Sequence, residues 1–419
     1  MRTFVAGALI AFACSAFGQS DQAVLAQARA NKAPLLETLK DLVSIESNSR
    51  DFEGLSKIAD LIAARLKAAG GDVALVEPSD VYKMEDTPER IGRIVRATFK
   101  GTSTKKIMLI AHMDTVYPRG TLQKQQFRVD GDRAYGLGIS DDKQGVALIL
   151  HTVAVLQKIG FKDYGTLTVL INGDEEISSP GSRALLTRLG AEHDATLSFE
   201  ASRVDSDKLA LATAGIASVV LKVQGKASHA GGAPHLGVNA LYELSHQILQ
   251  TRDLSDPATG LKMNWTVARA GMNRNVIPPG AEATADVRVL RVADYDRIEA
   301  AVRERIKKQL LPEAKVDLVF ERRRPPLEAS PAAHALAKHA QGIYKEIGMD
   351  LVVDSIAEGG GTDAAFAALK TQNAVVERFG LRGFGAHSND DEYVLVSSIE
   401  PRLYLAARTI MDIARDRVR

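Results

Sequence analysis

The sequence predicts an α/β fold in which a catalytic domain is split by a smaller, inserted α+β domain. Three observations predict it. From residue 21 to about residue 212, short apolar runs bounded by Gly or polar residues alternate with stretches of helical period, the pattern of a sheet covered by helices. From about Gly215 the pattern changes to longer alternating strands interrupted by two helices, as in a compact antiparallel unit. After "RRRPPLE", where Pro325-Pro326 reads as a linker, helical patterns consistent with the first architecture return. The expected divisions are a leader over 1–18, a catalytic part over 19–213, an insert over 214–326 and a second catalytic part over 327–419. A chain of 419 residues is too long for one ordinary core, in agreement with two domains.

Taken in order, the first segment, "MRTFVAGALIAFACSAFGQS", has one Arg, an apolar stretch over 4–13 and a small-x-small end at Ala16-Phe17-Gly18. That is the pattern of a secretory signal peptide cut after Gly18, which places the expected product in the periplasm or outside the cell. Cleavage there removes Cys14, the only cysteine, and with it any disulfide or thiol chemistry. The apolar stretch is too short to span a bilayer, and no later segment resembles a transmembrane helix. Next, "GLSKIADLIAARLKAAGG" sets Leu55, Ile58, Ala59, Ile62 and Leu66 on one helical face and stops at Gly70-Gly71. "KIMLIAHMD" and "GTLTVLING" read as buried strands. In the insert, "IASVVLKVQGK", "AEATADVRVLRV" and "AKVDLVFE" read as strands. "NALYELSHQILQT" reads as a helix with Leu241, Leu244, Ile248 and Leu249 on one side, and "ADYDRIEAAVRERIKKQLL" as a second helix. The balance of 53 basic and 52 acidic residues, without a basic run carrying interleaved aromatics, excludes the footprint of a nucleic-acid binder.

The candidate chemistry collects at the ends of the apolar runs. His112 and Asp114 lie two apart in an extended segment and project to one side; a His beside a carboxylate is the pattern of an oriented metal ligand, and equally of a satisfied loop histidine. Asp141 and Asp142 stand in the Gly-rich "YGLGISDDKQG" before a helix, where Asp is favourable in any case. Asp174, Glu175 and Glu176 follow a buried strand directly, where burial and mutual repulsion penalise them unless a cation is near. Glu200 ends "TLSFE", and His387 sits in the Gly-rich "GFGAHS". Strand ends in an α/β sheet converge on one crevice, and a mixed His and carboxylate set suits zinc or a similar divalent ion. Three carboxylates and a bridging hydroxide carry four negative charges, which two divalent ions neutralise. In "TADVRVL", Arg288 shares a polar strand face with Thr284 and Asp286, a face suited to a bound carboxylate or to solvent.

The ordered series H-M-D, G-x-x-D-D-K, D-E-E, S-F-E and G-x-H-S resembles the co-catalytic zinc metallopeptidases and aminoacylases. Together with "GKASHAGGAPHLGVNAL", "NWTVARAG", "NVIP", "ADVR" and "EGGGTDAA", it is similar to the glutamate carboxypeptidases of the carboxypeptidase G group, which trim folates. The resemblance covers essentially the whole chain after the leader. It implies a mixed-sheet zinc-exopeptidase catalytic domain whose insert is a dimerisation or lid domain. It implies two zinc ions per subunit, with cobalt or manganese as possible substitutes: Asp141 bridging, His112 and Glu200 completing one site, Glu176 and His387 the other. Glu175 is then the general base, Asp114 orients His112, Asp174 is structural, and the Asp141–Asp142 peptide is cis. His229 would reach the partner's zinc site in a homodimer and stabilise the oxyanion, while Arg288, Asn275, Arg324 and the turn with Gly360 and Thr362 would receive substrate carboxylates. The implied activity releases a C-terminal amino acid, preferentially glutamate, from small peptides or N-acyl conjugates such as folates. An N-acyl-amino-acid deacylase or a dipeptidase with the same metal chemistry is the alternative; a metal-dead binding protein is disfavoured by the complete ligand set. The chain departs from the group at Gly173, at "ISSPGS", at Ala386 and at Arg323, all around the expected pocket and none at a ligand.

Overall fold

The computed structural model describes residues 20–388 and 391–418; the expected leader, its cleavage point after Gly18 and Cys14 lie outside the described residues. The catalytic sheet has six strands, in the order Asp72–Val76, Ile94–Lys100, Thr166–Asn172, Lys106–His112, Ala195–Ser198 and Ala374–Val376. Its first two pairings are antiparallel and the remaining three parallel, so the sheet is mixed. Alternation sends the two faces of each strand into separate cores. Ile107, Leu109 and Ala111 face one core, which also takes Ile58, Ile62 and Leu66 and residues of the helices Gln144–Lys158, Pro331–Lys345 and Ile399–Ala414. Met108 and Ile110 face the other core, with the helix Arg183–Glu192 and the short helix Ala364–Ala368. Burial on both faces is why these strands read as near-continuous apolar runs. The parallel strands all deliver their carboxyl ends to one edge, where open α/β sheets hold their ligands.

The insert is a four-stranded antiparallel sheet, ordered Lys262–Ala270, Gly280–Val289, Gly215–Gln224 and Lys315–Arg324. The helices Ala240–Thr251 and Ala293–Arg305 cover one face. Ala285, Val287 and Val289 are buried on that side, and the alternation puts Thr284, Asp286 and Arg288 on the other. The stripe read for the first of these helices differs from the structure. Leu244 is buried and Ile248 packs against the core, but Leu241 and Leu249 are exposed. Their inward places go to Glu243 and Gln247, which are buried without penalty because their polar atoms are used. Glu243 accepts the backbone N–H groups of Leu310 (2.9 Å) and Leu311 (2.7 Å), and Gln247 donates to Ile306 O (3.3 Å).

A third, five-stranded sheet runs Arg128–Asp130, Arg133–Tyr135, Tyr393–Leu395, Arg382–Phe384 and Ser202–Arg203. It frames the loop that carries His387. Among the described residues no helix is long and apolar enough to cross a membrane.

The first two helices, Gln22–Ala30 and Lys32–Val43, are tied to the helix Gln144–Lys158 through His151. Its ring nitrogens lie 2.8 Å from Asn31 Oδ1 and 2.9 Å from Thr38 Oγ1. Burial, followed by the nearby Arg65 cation, pushes His151 down to about 4. In the unfolded chain a histidine takes its proton near pH ~6.5. Between that pH and about 4, the unfolded state therefore binds more protons, and stability falls as the pH falls. We expect His151→Gln to remove ~2 kcal/mol of the stability difference between neutral pH and pH ~4.5, read by urea unfolding at both. An identical acid limb in the variant would contradict this.

Candidate active site

The expected ligands lie at or just beyond strand ends, or in Gly-rich loops facing them. His112 ends its strand and pairs in register with Asn172, the end of the neighbouring parallel strand. Three residues beyond Asn172, the turn Glu175–Ile177 presents the two glutamates. Ala195–Ser198 runs directly to Glu200, and Asp141 precedes the helix Gln144–Lys158. His387 stands between Arg382–Phe384 and Tyr393–Leu395, two residues after Gly385. It has φ +64°, a left-handed conformation uncommon outside glycine. The Asp141–Asp142 peptide is cis.

These side chains converge as two groups that share Asp141: His112, Asp141 and Glu200, and Asp141, Glu176 and His387. One oxygen of Asp141 lies 2.9 Å from His112 Nε2, and the other lies 3.3 Å from His387 Nε2. Glu200 is 3.3 Å from His112 Nε2, and Glu176 is 3.0 Å from His387 Nε2. Asp114, fully buried, does two things. Its Oδ1 lies 3.3 Å from His112 Nδ1, and its two oxygens accept the backbone N–H groups of Glu175 (3.1 Å) and Glu176 (3.0 Å). Asp174 faces away from this cluster. It accepts the N–H groups of Gly181 (2.6 Å) and Ser182 (3.1 Å) and the Ser182 hydroxyl (2.6 Å), closing the turn before the helix Arg183–Glu192.

Glu175 is buried and receives the Arg324 guanidinium at both its carboxylate and its backbone oxygen. Arg324, expected among the groups for substrate carboxylates, is itself buried and also lies 3.3 Å from Asp363. The structure thus commits Arg324 to protein acids. Arg288 is the arginine that remains partly exposed, 30% at the side chain. It is held by Asp286 (2.9 Å) and donates to Gly359 O (2.9 Å), so it meets the expected Gly-rich turn across the domain junction. Gly360 and Thr362 line a cavity of about 610 Å³ that begins at Asp141 and Glu200 and extends to Arg203, Arg378 and Phe384. The Thr362 hydroxyl is buried and donates to Glu377 (2.9 Å). His229 and Asn275 lie elsewhere, in adjoining loops of the insert. Asn275 O accepts the N–H of Ala230 (2.9 Å), and neither residue lines the cavity.

Glu392 and Tyr117 carry the site without any signal in the sequence. Glu392, fully buried, accepts the N–H groups of Gly138 (2.9 Å), Ser140 (2.8 Å) and Asp141 (3.0 Å), and the Tyr117 hydroxyl (2.5 Å). Tyr117 also reaches Ser388 O (2.9 Å), beside His387. In "NDDEY" the glutamate looks like one more acid of a solvated run, and its partners lie more than 250 residues away.

The electrostatics ask for positive charge. Burial, followed by Asp141, pushes Glu176 up to about 7, and burial pushes Glu175 well upward against the opposing pull of Arg324. Bonds to Asp141 and Glu176 push His387 up to about 11. Glu176 Oε1 is buried with no hydrogen-bond partner. A buried acceptor left open inside a set of imidazole and carboxylate donors fits a divalent cation.

The model of the Peptidase family M20/M25/M40 matches residues 108–412. The chain is 44% identical to carboxypeptidase G2 of Pseudomonas sp. (strain RS-16), covering 98% of this chain and 95% of that protein. It is 27% identical to N-acetyl-L-citrulline deacetylase of Xanthomonas campestris, over 64% of this chain and 70% of that protein. Its fold matches the solved structure of aminopeptidase PepT from Bacillus cereus with a TM-score of 0.73 at 20% identity, covering 92% and 99% of the two chains. It also matches an M20 family metallo-carboxypeptidase from Sulfolobus solfataricus with a TM-score of 0.72 at 14% identity, covering 91% and 99%.

Glu392→Gln places an amide nitrogen against one of the four donors. Zinc affinity is expected to fall ~10–100-fold, the usual cost of disturbing the supports of metal ligands. Competition with a chromogenic chelator measures it, and wild-type affinity would show that Glu392 does not hold the site.

Proposed function

We propose that this chain, which belongs to peptidase family M20/M25/M40, works as a di-zinc metallo-carboxypeptidase that releases a C-terminal amino acid, preferentially glutamate, from peptides or N-acyl conjugates such as folates. The observation that carries the reading is the pair of donor groups sharing Asp141, with Glu175 beside them, in a near full-length relative of a carboxypeptidase. His112, Asp141 and Glu200 would hold one ion, and Asp141, Glu176 and His387 the other. When bound, the ions supply Lewis-acid polarisation of the scissile carbonyl and a water of lowered pKa, near ~7.

The remaining work falls to the chain's own residues. Glu175 takes a proton from the attacking water and passes it to the leaving nitrogen, while Arg324 favours the ionised form of that carboxylate. Asp114 fixes the direction of the His112 ring and the positions of both glutamates. Arg288 meets the carboxylate of the released amino acid with the part of its guanidinium that Asp286 and Gly359 leave exposed.

The same reading includes a homodimer. The strand Lys262–Ala270 is an edge of the insert's sheet, and Leu241, Tyr242, Leu249, Val267 and Met272 are exposed on the insert. An open edge with apolar neighbours favours pairing with a second copy. His229 Nδ1 accepts the N–H groups of Gly231 (3.2 Å) and Gly232 (2.9 Å). The neutral ring therefore carries its proton on Nε2, free to donate to an oxyanion in the partner subunit.

Two tests follow from this reading. Glu175→Gln is expected to retain both metals and lower kcat by ~10²-fold or more, as loss of a general base does, whereas Glu176→Gln loses or weakens one metal. Elemental analysis with steady-state kinetics on N-acyl glutamates separates them, and equal metal content with equal activity would refute the division of labour. His229→Ala is expected to cost ~10²–10³ in kcat. Mixed dimers of His229→Ala with Glu175→Gln regain one working site, built from Glu175 of one subunit and His229 of the other. Co-expressed heterodimers that stay inactive would rule out action across the interface.

A further inference from the structure

The turn that presents Glu175 and Glu176 is gripped from behind by Arg183. Ser178 and Ser179, one residue beyond the acids, both take left-handed backbone conformations, with φ of +69° and +54°. Two successive non-glycine residues in that region persist only where their surroundings hold them. The structure shows what does so. Arg183 Nε donates to Ser179 O (3.3 Å) and Nη2 to Ser178 O. The same guanidinium crosses to the insert, where Nη1 meets Arg322 O (3.4 Å) and Nη2 meets Arg323 O (2.6 Å). Those are the last two residues before Arg324, whose own guanidinium lies on Glu175. The Arg183 guanidinium also stacks over the rings of Tyr82 (4.2 Å) and Phe366 (4.8 Å). Among the described residues no carboxylate pairs with it, and burial holds it down to about 10. A cation spent on four carbonyls is a brace. Its planar fork can span two backbone segments at once, which the single ammonium of a lysine cannot.

We propose that Arg183 is a positioning residue that locks the insert's exit strand to the catalytic turn, so that the placement of Glu175 depends on the position of the insert. The proposal rests on the reading of Glu175 as general base. Arg183 lines a solvent-open cleft of about 970 Å³ between the insert and the catalytic half, together with Tyr82, Tyr295, Pro325 and Phe366. A free guanidinium ion can therefore reach the place that Arg183→Ala leaves empty.

The test uses the zinc-loaded full chain as wild type, Arg183→Ala and Arg183→Lys, with metal content measured in each. Arg183→Ala is expected to keep both ions and its KM within about twofold, and to lose kcat toward the ~10²-fold that a small misplacement of a catalytic group costs. Millimolar guanidinium should restore part of that kcat, with no effect on wild type or on Glu175→Gln, and Arg183→Lys should remain low. Hydrogen exchange supplies a readout independent of activity. The segments 174–183 and 315–324 are expected to lose protection together in either variant, while 280–289 keeps its own. Should Arg183→Ala fail to fold, Arg183→Lys carries the exchange measurement. A metal-loaded Arg183→Ala with wild-type kcat, whatever its thermal stability, would reduce the residue to a structural one and overturn the proposal. Loss of protection confined to one of the two segments would overturn the coupling. Failure of the wild type to release C-terminal glutamate would instead refute the functional reading and leave the exchange result to decide the brace.

Discussion

Asp141 turns one carboxylate oxygen toward His112 and the other toward His387, and much of the catalytic half is arranged to keep those two directions fixed. A single side chain cannot do this alone, since rotation about its own bonds would let it favour one partner. The backbone is fixed instead. Glu392 takes three consecutive-turn N–H groups around Asp141 and is itself tied through Tyr117 to the neighbour of His387. The segment that carries His387 thus also braces Asp141, the carboxylate shared by the two donor groups. That is why the strands Arg382–Phe384 and Tyr393–Leu395 return to the front of the catalytic sheet directly after its last strand, Ala374–Val376.

The three successive acids at 174–176 show how one short stretch divides its labour. Side chains at neighbouring positions of a tight turn point in different directions, so each meets its own surroundings. Asp174 turns into backbone N–H groups and closes the turn. Glu175 meets an arginine brought by the insert. Glu176 meets His387 with one oxygen and leaves the other buried and unbonded. Repulsion among the acids is relieved by this divergence, and what remains of it is the cation-seeking character of the cluster.

Much of this was legible in the sequence, for a physical reason. His112, Glu175, Glu176 and Glu200 each follow a run that burial makes apolar, and polar residues stand out at the ends of such runs. The alternation through Thr284–Val289 likewise showed which face of the insert's sheet Arg288 occupies. The supports were not legible. Glu392 and Arg183 act on backbone N–H and carbonyl groups, which every residue possesses, so no residue type marks their partners. The helix Ala240–Thr251 misled for a related reason: Glu243 and Gln247 can be buried because remote backbone groups satisfy them, leaving Leu241 and Leu249 outside. Arg324 was legible as a cation for carboxylates, but the carboxylates it meets belong to the protein.

The register of the insert's sheet gives Arg324 and Arg288 a fixed relation. Ile216 on the central strand Gly215–Gln224 pairs with Arg288 on one side and with Arg324 on the other. The two arginines therefore occupy one transverse row, separated by two strand spacings of ~4.8 Å each. A bulge sets this row, because the partner of Ala217 is Arg322 and the partner of Ile216 is Arg324. An extra residue in one strand is left unpaired and re-aims its neighbours. Here Arg323 is the extra residue; its side chain turns to Asp86 and Glu321, and Arg324 takes the place beside Ile216. Without the bulge Arg323 would stand in that row, and Arg324 would fall one row further on, opposite Gly215. Arg323, left out of the pairing, is thus the residue whose bulge delivers its neighbour to Glu175. A rigid antiparallel sheet holds Arg324, bound to Glu175, and the partly exposed Arg288 at one spacing, so that any displacement of the insert moves both together.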